Sequence, residues 1–316
     1  MSNETNSKSA PGKIALSVRN LSVSFKMYGK GLEQHSLKVI SNLNVTVREG
    51  EILAIAGSSG SGKSLLAHAI LDILPGNAHV DGEILYYGQP LDSELCRKIR
   101  GREMALVPQS VDYLDPLMRV GKQVAGTEKR YDRMKSVFAK YELSEAVERQ
   151  FPFQLSGGMA RRVLVSTAVI GDAKLIIADE PTPGLSKELA ETAMGHFREL
   201  ADAGAAVMLI THDIDLALEY ADRIAVFYAG TTVETTPVED FKRGQASLRH
   251  PYTKALWAAI PQNDFQPTRG TQPYAGSLPK GCLYAPRCDM KTPECEEGTV
   301  AVRELRGGEV TCIHAL

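Results

Sequence analysis

The residues with the clearest chemistry form the loop GSSGSGKS, residues 57–64. Its spacing fits G-x-x-x-x-G-K-[S/T], in which glycines let successive backbone N–H groups turn toward phosphate oxygens. Lys63 would reach the β- and γ-phosphates, and Ser64 would offer a hydroxyl to Mg²⁺. The sequence therefore predicts a site for a nucleoside triphosphate and Mg²⁺. The residues predicted to contact the nucleotide here are Gly57, Ser58, Ser59, Gly60, Ser61, Gly62, Lys63, Ser64 and Leu65.

An acidic pair ends a second apolar run, LIIADE, at residues 175–180. Asp179 would close a buried strand, where a carboxylate can hold Mg²⁺ through water. Glu180 follows it and could polarise an attacking water. Because acids are common at strand ends, this interpretation depends on the phosphate loop being nearby.

The elements around these residues indicate a parallel sheet wrapped by helices. Residues 51–57 form a short apolar run typical of a strand buried on both faces, and residues 64–74 have helical spacing. Two more apolar runs, 175–180 and 207–213, enclose a helical pattern at 187–204. Alternation of strand and helix favours the α/β class.

Three other regions have a different texture. Residues 14–47 alternate apolar and polar side chains, which is typical of antiparallel strands. Residues 95–168 are richer in charge, and the stretch 132–151 within them is expected to be helical. Residues 245–316 carry regularly spaced prolines and four of the five cysteines, so we interpret them as an extension outside the main core.

Composition and charge exclude some classes of protein. The chain has 316 residues, with 36 basic and 38 acidic side chains and a net charge of −2. This balance gives no positive field for nucleic acid. No run approaches the roughly 20 apolar residues that span a bilayer. The polar residues 1–13 show no secretory signal and are expected to be a disordered tail, so we expect a soluble or peripheral protein in a reducing compartment.

The segment LSGGM, residues 155–159, lies between the glycine-rich loop at 57–64 and the acidic pair that ends residues 175–180. By itself it could be a turn with Ser156 as the N-cap of a helix. Together, however, the pieces resemble the ATP-binding cassette (ABC) ATPases, whose signature is usually LSGGQ. Gln109 in LVPQS resembles the Q-loop glutamine of that family, and His212 in ITHD its switch histidine. Phe25 lies where the family stacks an aromatic ring on adenine, with Tyr28 a nearby alternative.

The resemblance implies a P-loop (RecA-like) nucleotide-binding core with an antiparallel β-subdomain, an inserted α-helical subdomain and a cysteine-containing C-terminal extension. It also implies head-to-tail dimers, in which each ATP lies between one phosphate loop and the signature of the other subunit. The expected domains are a tail at 1–13, an ATPase domain at 14–244 with its helical subdomain at about 95–168, and the extension at 245–316. The expected catalytic residues are Lys63, Gln109, Glu180 and His212, the Mg²⁺ ligands Ser64, Gln109 and Asp179, and the signature contacts Ser156, Gly157 and Gly158.

Two residues depart from the family pattern. Met159 replaces the last residue of the signature, as it does in some peptide importers. Ser186 stands where the D-loop usually has aspartate. Since the D-loop normally links the two ATP sites, Ser186 puts communication between them in doubt.

The C-terminal tail resembles the segment that follows the cassette in peptide and nickel importers. RHPYTKALWAAIP at 249–261 carries part of this resemblance, and the cysteines carry the rest. Their spacings contain no C-x₂-C pair, so a zinc site has little support. Four thiolates could hold a [4Fe–4S] cluster, or they could be free buried thiols, and both hypotheses stay open. The four are Cys282, Cys288, Cys295 and Cys312.

These observations lead to one main functional hypothesis. The chain would be the ATP-hydrolysing subunit of an importer of peptides, nickel or metal chelates at the cytoplasmic face of the cell membrane. It would work with a second ABC ATPase subunit, two transmembrane permease subunits that contact residues 110–150, and an extracytoplasmic substrate-binding protein, without nucleic acid. The alternatives are a soluble ABC ATPase outside transport and a regulatory ATP-binding half with weak hydrolysis. Only Ser186 supports the regulatory half.

Overall fold

Two β-sheets with flanking helices make up the part of the protein that the computed structural model describes, residues 12–29 and 33–316. Most of the predicted tail, residues 1–11, lies outside that part. The strands are β1 (Ile14–Tyr28), β2 (Gln34–Arg48), β3 (Ile52–Gly57), β4 (Ala78–Tyr86), β5 (Gln89–Pro90), β6 (Met104–Val107), β7 (Leu175–Asp179), β8 (Ala206–Ile210), β9 (Arg223–Tyr228), β10 (Thr231–Pro237), β11 (Arg303–Leu305) and β12 (Gly308–Val310).

Helices connect the strands of the larger sheet and form a separate group in the middle of the chain. They are α1 (Lys63–Ile70), α2 (Ser93–Ile99), α3 (Val120–Ala125), α4 (Tyr131–Lys140), α5 (Gly157–Val169), α6 (Lys187–Asp202), α7 (Ile214–Tyr220), α8 (Val238–Lys242) and α9 (Pro251–Ala258). Short 3₁₀ turns occupy several of the connections.

The larger sheet has the strand order β11-β12-β10-β9-β3-β8-β7-β6. Strands β9, β3, β8, β7 and β6 are parallel neighbours, and the apolar runs of β3, β7 and β8 are buried on both faces as the sequence predicts. Since the carboxyl ends of parallel strands share one edge, the loops after β3, β7 and β8 come together there. The smaller sheet, β2-β1-β4-β5, is antiparallel, as the alternating pattern indicates.

The helical region differs from the sequence prediction in one place. Helix α4 ends at Lys140, although the pattern favoured a helix through residue 151. Glu142 has a left-handed φ of 51°, which an α-helix cannot continue through, and a 3₁₀ turn follows at Glu145–Arg149. Helix α1 also stops early, at Ile70, because Asp72 has a φ of 51°.

The C-terminal extension is fastened to the larger sheet. Strand β12 pairs with β10 and β11 with β12, so the extension adds a two-stranded edge to that sheet. Arg249 is buried beneath this edge and all five of its guanidinium N–H groups have acceptors. We call this set the Arg249 network: Arg249 with the side chains of Glu234, Thr236 and Asp240 and the backbone carbonyls of Leu305 and Arg306.

Candidate ATP-binding site

The phosphate loop joins β3 to α1 and needs glycine at two positions. A Cβ on Gly57 would lie 2.4 Å from the carbonyl oxygen of Phe227, which is closer than atoms can approach. Gly62 begins α1 with a φ of 93°, in the left-handed region that glycine adopts most easily. The loop is therefore shaped by its glycines and ends at a helix N-terminus, where an anion is stabilised.

Lys63 is buried and folds back over the loop. Its Nζ donates to the carbonyls of Gly57, at 2.9 Å, and Ser58, at 3.0 Å. Burial lowers the pKa of the Lys63 ammonium, whereas the nearby charges of Glu180 and Asp179 raise it. Only weak neutral acceptors hold the ammonium, so a phosphate oxygen would be a stronger partner.

Asp179 lies opposite the loop with an unused oxygen. Burial raises the pKa of its carboxyl, and a hydrogen bond from Ser64 works against that shift. Its buried Oδ1 has no hydrogen-bond partner among the described residues, 12–29 and 33–316. A hydroxyl and a carboxylate with a free oxygen, beside the amide of Gln109, are the ligand types that Mg²⁺ takes, so these residues fit the ion.

Glu180 and His212 form a pair at the same edge of the sheet. His212 Nδ1 lies 2.9 Å from Glu180 Oε2, with the glutamate side chain 9% exposed and the histidine 69% exposed. The Glu180 N–H donates to the carbonyl of Ile210 at 2.9 Å, and its φ is 48°. This backbone arrangement turns the carboxylate away from the strand end and toward the cleft.

A cleft of about 410 Å³ brings these groups together. Its size suits a nucleotide, and its walls come from loops after separate parallel strands. The residues that line it are Val39, Ser59, Gly60, Gly62, Lys63, Ser64, Leu65, Gln109, Asp179, Glu180 and His212.

Comparison with known proteins identifies the family. The ABC transporter family matches residues 40–183, and the oligopeptide/dipeptide transporter C-terminal region matches residues 233–295. A putative peptide import ATP-binding protein of Brucella abortus is 34% identical over 96% of this chain and 95% of the relative. The dipeptide transport ATP-binding protein DppD of Bacillus subtilis is 34% identical over 89% of this chain and 88% of the relative.

The chain belongs to the ATP-binding subunits of the oligopeptide/dipeptide ABC transporter family. A solved dimeric ATP-binding cassette, in a post-hydrolysis state with ADP and Pi, matches it with a TM-score of 0.62 and 27% identity. That match covers 71% of this chain and 98% of the solved chain. The protein is therefore an ATPase with the P-loop ABC fold, which confirms the predicted fold class and enzyme class.

The two predicted adenine-stacking residues do not line the cleft. Phe25 is part of β1, opposite Leu37 of β2 and Ala78 of β4, and is half-buried against the smaller sheet's core. Tyr28, at the end of β1, is 70% exposed. Val39, which sequence analysis missed, is the β2 residue that lines the cleft. The adenine role of both aromatic residues stays a prediction.

The signature of this cassette lies outside its own cleft. Ser156 caps α5, and its Oγ accepts a hydrogen bond from the Met159 N–H at 3.3 Å. Ser156 and Gly157 are exposed, as a segment that contacts a second subunit would be. Gly158 approaches the D-loop, since a Cβ there would lie 3.2 Å from the Gly184 carbonyl oxygen.

Arg161 is a buried charged residue next to the Q-loop that sequence analysis did not single out. It lies in α5, directly after the signature, and donates to the carbonyl of Pro108 at 2.9 Å and to that of Gln109. Its guanidinium therefore joins the signature helix to the Q-loop. A charged residue among the apolar residues of the buried face of α5 was the available signal.

The D-loop serine has a visible structural role. Ser186 is the N-cap of α6, and its Oγ accepts from the Leu189 N–H at 3.4 Å. Aspartate would cap the same helix equally well. The substitution therefore preserves the helix start while it removes a carboxylate from the D-loop.

The four tail cysteines line one small cavity together with Tyr284 and His250. All are free thiols, and burial raises the pKa of Cys282 and Cys288. In residues 12–29 and 33–316, however, no group of three or more His, Cys, Asp or Glu side chains is arranged to hold a metal ion. The thiols thus share a cavity without forming ligand geometry, and the [4Fe–4S] cluster stays a prediction.

None of the helices in the described part of the chain is both long and apolar enough to cross a bilayer.

Proposed function

We propose that this subunit uses ATP hydrolysis to drive peptide import through partner permeases at the cytoplasmic face of a cell membrane. The observation that carries the proposal is the presence, in one chain, of the cassette and the oligopeptide/dipeptide C-terminal region. Relatives named for oligopeptide and dipeptide transport favour peptides over nickel or metal chelates as the cargo.

The residues of the cleft divide the work on ATP. The N–H groups of the loop and Lys63 bind the phosphates, and Ser64, Asp179 and Gln109 would hold Mg²⁺. The ion would neutralise charge on the phosphate oxygens. Glu180 would orient a water and accept its proton, while His212 holds the carboxylate in place through the 2.9 Å contact.

A second ATPase subunit would complete the site. The exposed Ser156 and Gly157 at the N-terminus of α5 would supply backbone N–H groups to a nucleotide held on the partner's phosphate loop. The Arg161 contact to the Q-loop would then transmit closure of the dimer to Gln109.

The permeases would dock beside the Q-loop. A groove of about 530 Å³ is bounded by segments 117–122 and 148–151, within the predicted contact region. Leu117, a large apolar residue, lines this groove and is 87% exposed among the residues that the structure describes.

Docking can be tested by removing that apolar contact. Leu117→Asp should weaken co-purification of transmembrane chains with the tagged subunit while nucleotide binding stays intact. Leu316→Asp is the matched control, because Leu316 is an equally exposed leucine, at 89%, that does not line the groove. Equal co-purification by both variants would refute the docking site.

Import itself can be tested in cells that lack the chain. Uptake of a labelled peptide should return with the wild-type chain and fail to return with Glu180→Gln. The exposed Glu219→Gln is the control and should restore uptake. If uptake of Ni²⁺ but not peptide returned, the cargo assignment would be wrong.

The same Glu180 variant separates an active subunit from the regulatory alternative. Steady-state ATPase of the assembled complex should fall by about 100-fold, the lower range for loss of a general base. An unchanged rate would favour a regulatory half that barely turns over ATP.

The cysteine cavity can be assigned by direct chemistry. Four cysteines in one cavity match a [4Fe–4S] cluster in number and type of ligand, but in the described residues they are not arranged to hold a metal ion, so the cluster and free buried thiols stand as alternative proposals. If the cluster is present, iron and sulfide analysis after anaerobic purification should give four of each per chain, lost in Cys288→Ser. An iron-free, active protein would leave the alternative of free buried thiols.

A further inference from the structure

The C-terminal extension touches the phosphate loop through one side chain. Gln272 Oε1 accepts a hydrogen bond from Ser58 Oγ at 2.7 Å and from the Ala229 N–H at 3.3 Å. Ser58 is the second residue of the loop, and Ala229 follows β9. A single amide therefore bridges the loop to the neighbouring strand end from outside the cassette core.

The segment that carries Gln272 is itself held in place. Arg287 Nε donates to the carbonyl of Arg269 at 2.6 Å, three residues before Gln272, and its Nη1 donates to the Tyr228 hydroxyl at 3.2 Å. Its guanidinium also lies 5.7 Å from the Tyr228 ring centre. A fixed anchor limits the freedom of the Gln272 side chain, so its contact with Ser58 is a built feature.

A cluster of three tyrosines packs beside the same region. Tyr228 lies 4.5 Å from Tyr252 and 5.2 Å from Tyr284 between ring centres. Tyr252 is 4% exposed and lies next to Ser58. Burial raises the pKa of the Tyr252 phenol, and a hydrogen bond with Ser58 works against that shift. The extension thus approaches Ser58 from two directions.

Ser58 matters because it also holds Lys63. Its carbonyl accepts from Lys63 Nζ at 3.0 Å, while its hydroxyl is fixed by Gln272. A shift of Ser58 would therefore move both the resting position of the ammonium and the N–H groups that follow it. A loop already held in its binding shape loses less entropy when a ligand binds.

We propose that Gln272 is a positioning residue for ATP binding, through which the C-terminal extension holds the phosphate loop ready for nucleotide. The proposal rests on binding of ATP at this loop. Gln272 does not line the cleft, so its effect passes through Ser58 and falls on nucleotide affinity more than on the chemical step.

The test replaces the amide by a side chain of similar shape that is a poor hydrogen-bond acceptor. In full-length Gln272→Met, the Kd for Mg-ATP and the KM should rise about fivefold, the effect of one neutral hydrogen bond, with kcat within twofold of wild type. Gln245→Met is the matched control, since its amide donates to Lys254 within the extension. Thermal unfolding should be the same for wild type and both variants.

A double-mutant cycle shows whether the effect passes through Ser58. Ser58→Ala should raise the Kd by a similar factor, and the double variant should show no further rise. Additive effects, a Gln272→Met variant that binds like wild type, or a fall in kcat alone would overturn the positioning role. A wild-type chain that fails to bind Mg-ATP would overturn the nucleotide site itself.

Discussion

The nucleotide cleft and the Arg249 network both bury charged groups, but they differ in how the polar atoms are satisfied. In the network, Arg249 is 2% exposed and each guanidinium N–H has an acceptor. In the part of the chain that the structure describes, Asp179 Oδ1 in the cleft has no partner, and neither does Ser61 Oγ of the phosphate loop. Lys63 there donates to two backbone carbonyls, which are neutral acceptors.

This difference distinguishes the Arg249 network, which is structural, from a binding site. An unsatisfied buried polar group costs about 1–3 kcal/mol of folding stability, so a fold keeps few of them. The cleft accepts that cost because a phosphate and a cation would supply the missing partners. The network needs no ligand, since its own residues complete every hydrogen bond. Substitutions in the cleft should therefore lower activity, and substitutions in the network should lower stability.

The largest effect is expected from Lys63→Ala. Loss of the main cation at the γ-phosphate should lower ATPase turnover by about 100-fold or more, comparable to losing one charge-stabilising group in an active site. Thermal stability should stay the same or rise, because a buried ammonium with weak partners is removed. The exposed Lys242→Ala is the control. Unchanged turnover in Lys63→Ala would refute the phosphate-loop assignment.

Arg249→Met should show the opposite pattern. It leaves the Glu234 carboxylate buried without its cation and Asp240 with only the exposed Arg243 as its cation, which costs about 3–5 kcal/mol of unfolding free energy. Urea denaturation of the full chain measures this loss. Arg243→Met is the matched control, because its pair with Asp240 is solvent-exposed on the arginine side and should contribute at most about 1 kcal/mol. Equal losses of unfolding free energy in the two variants would contradict the structural role of the Arg249 network.

The cleft is the part that sequence predicted best. Its loop residues are contiguous, and Asp179 and Glu180 end a buried strand, so local pattern and chemistry coincide. Parallel strand topology then places these loops at one edge, which brings Lys63 and His212 to the same cleft. A short motif on a regular element was enough to place these residues at one cleft, whereas the role of each residue stays a prediction.

Contacts between distant residues could not be predicted in this way. Gln272 and Ser58 are 214 positions apart, and a glutamine in a proline-rich segment has no pattern that names its partner. The network depends on β12 adding to β10, whereas the tail was interpreted as lying outside the core. The helical sequence pattern continues past the end of α4. The helix itself stops because tertiary packing, with a left-handed Glu142, overrides weak local propensity.

The next prediction concerns the folding stability that is lost by burying the ionised Asp179 carboxylate. Burial raises the pKa of its carboxyl above the ordinary value of 3.8, so the ionised form destabilises the nucleotide-free fold at neutral pH. Asp179→Asn should therefore stabilise the empty protein by about 1 kcal/mol near pH 7. The gain should shrink as the pH falls through the raised pKa and vanish below 3.8, where Asp179 is protonated in both states.

The same variant should lose Mg²⁺-dependent protection. Thermal unfolding with and without Mg-ATP measures both effects: the wild type should gain stability from the ligand, and Asp179→Asn should gain less. Asp172→Asn is a matched control, because its side chain is 78% exposed in an ion pair with Arg133. A destabilised empty Asp179→Asn protein would contradict the view that this carboxylate is held at a cost.

The smallest effect on stability is expected at Ser186, which caps a helix and also stands at the D-loop position. Ser186→Asp keeps an acceptor for the Leu189 N–H and adds a negative charge at the N-terminus of α6, so the unfolding free energy should change by less than about 0.5 kcal/mol. Ser186→Ala removes the cap and should cost about 1 kcal/mol. Turnover of the assembled ATPase separates the two roles. If the missing D-loop carboxylate limits communication between the ATP sites, Ser186→Asp should raise the rate and Ser186→Ala should not. Equal rates in both variants would mean that this serine acts only as a helix cap.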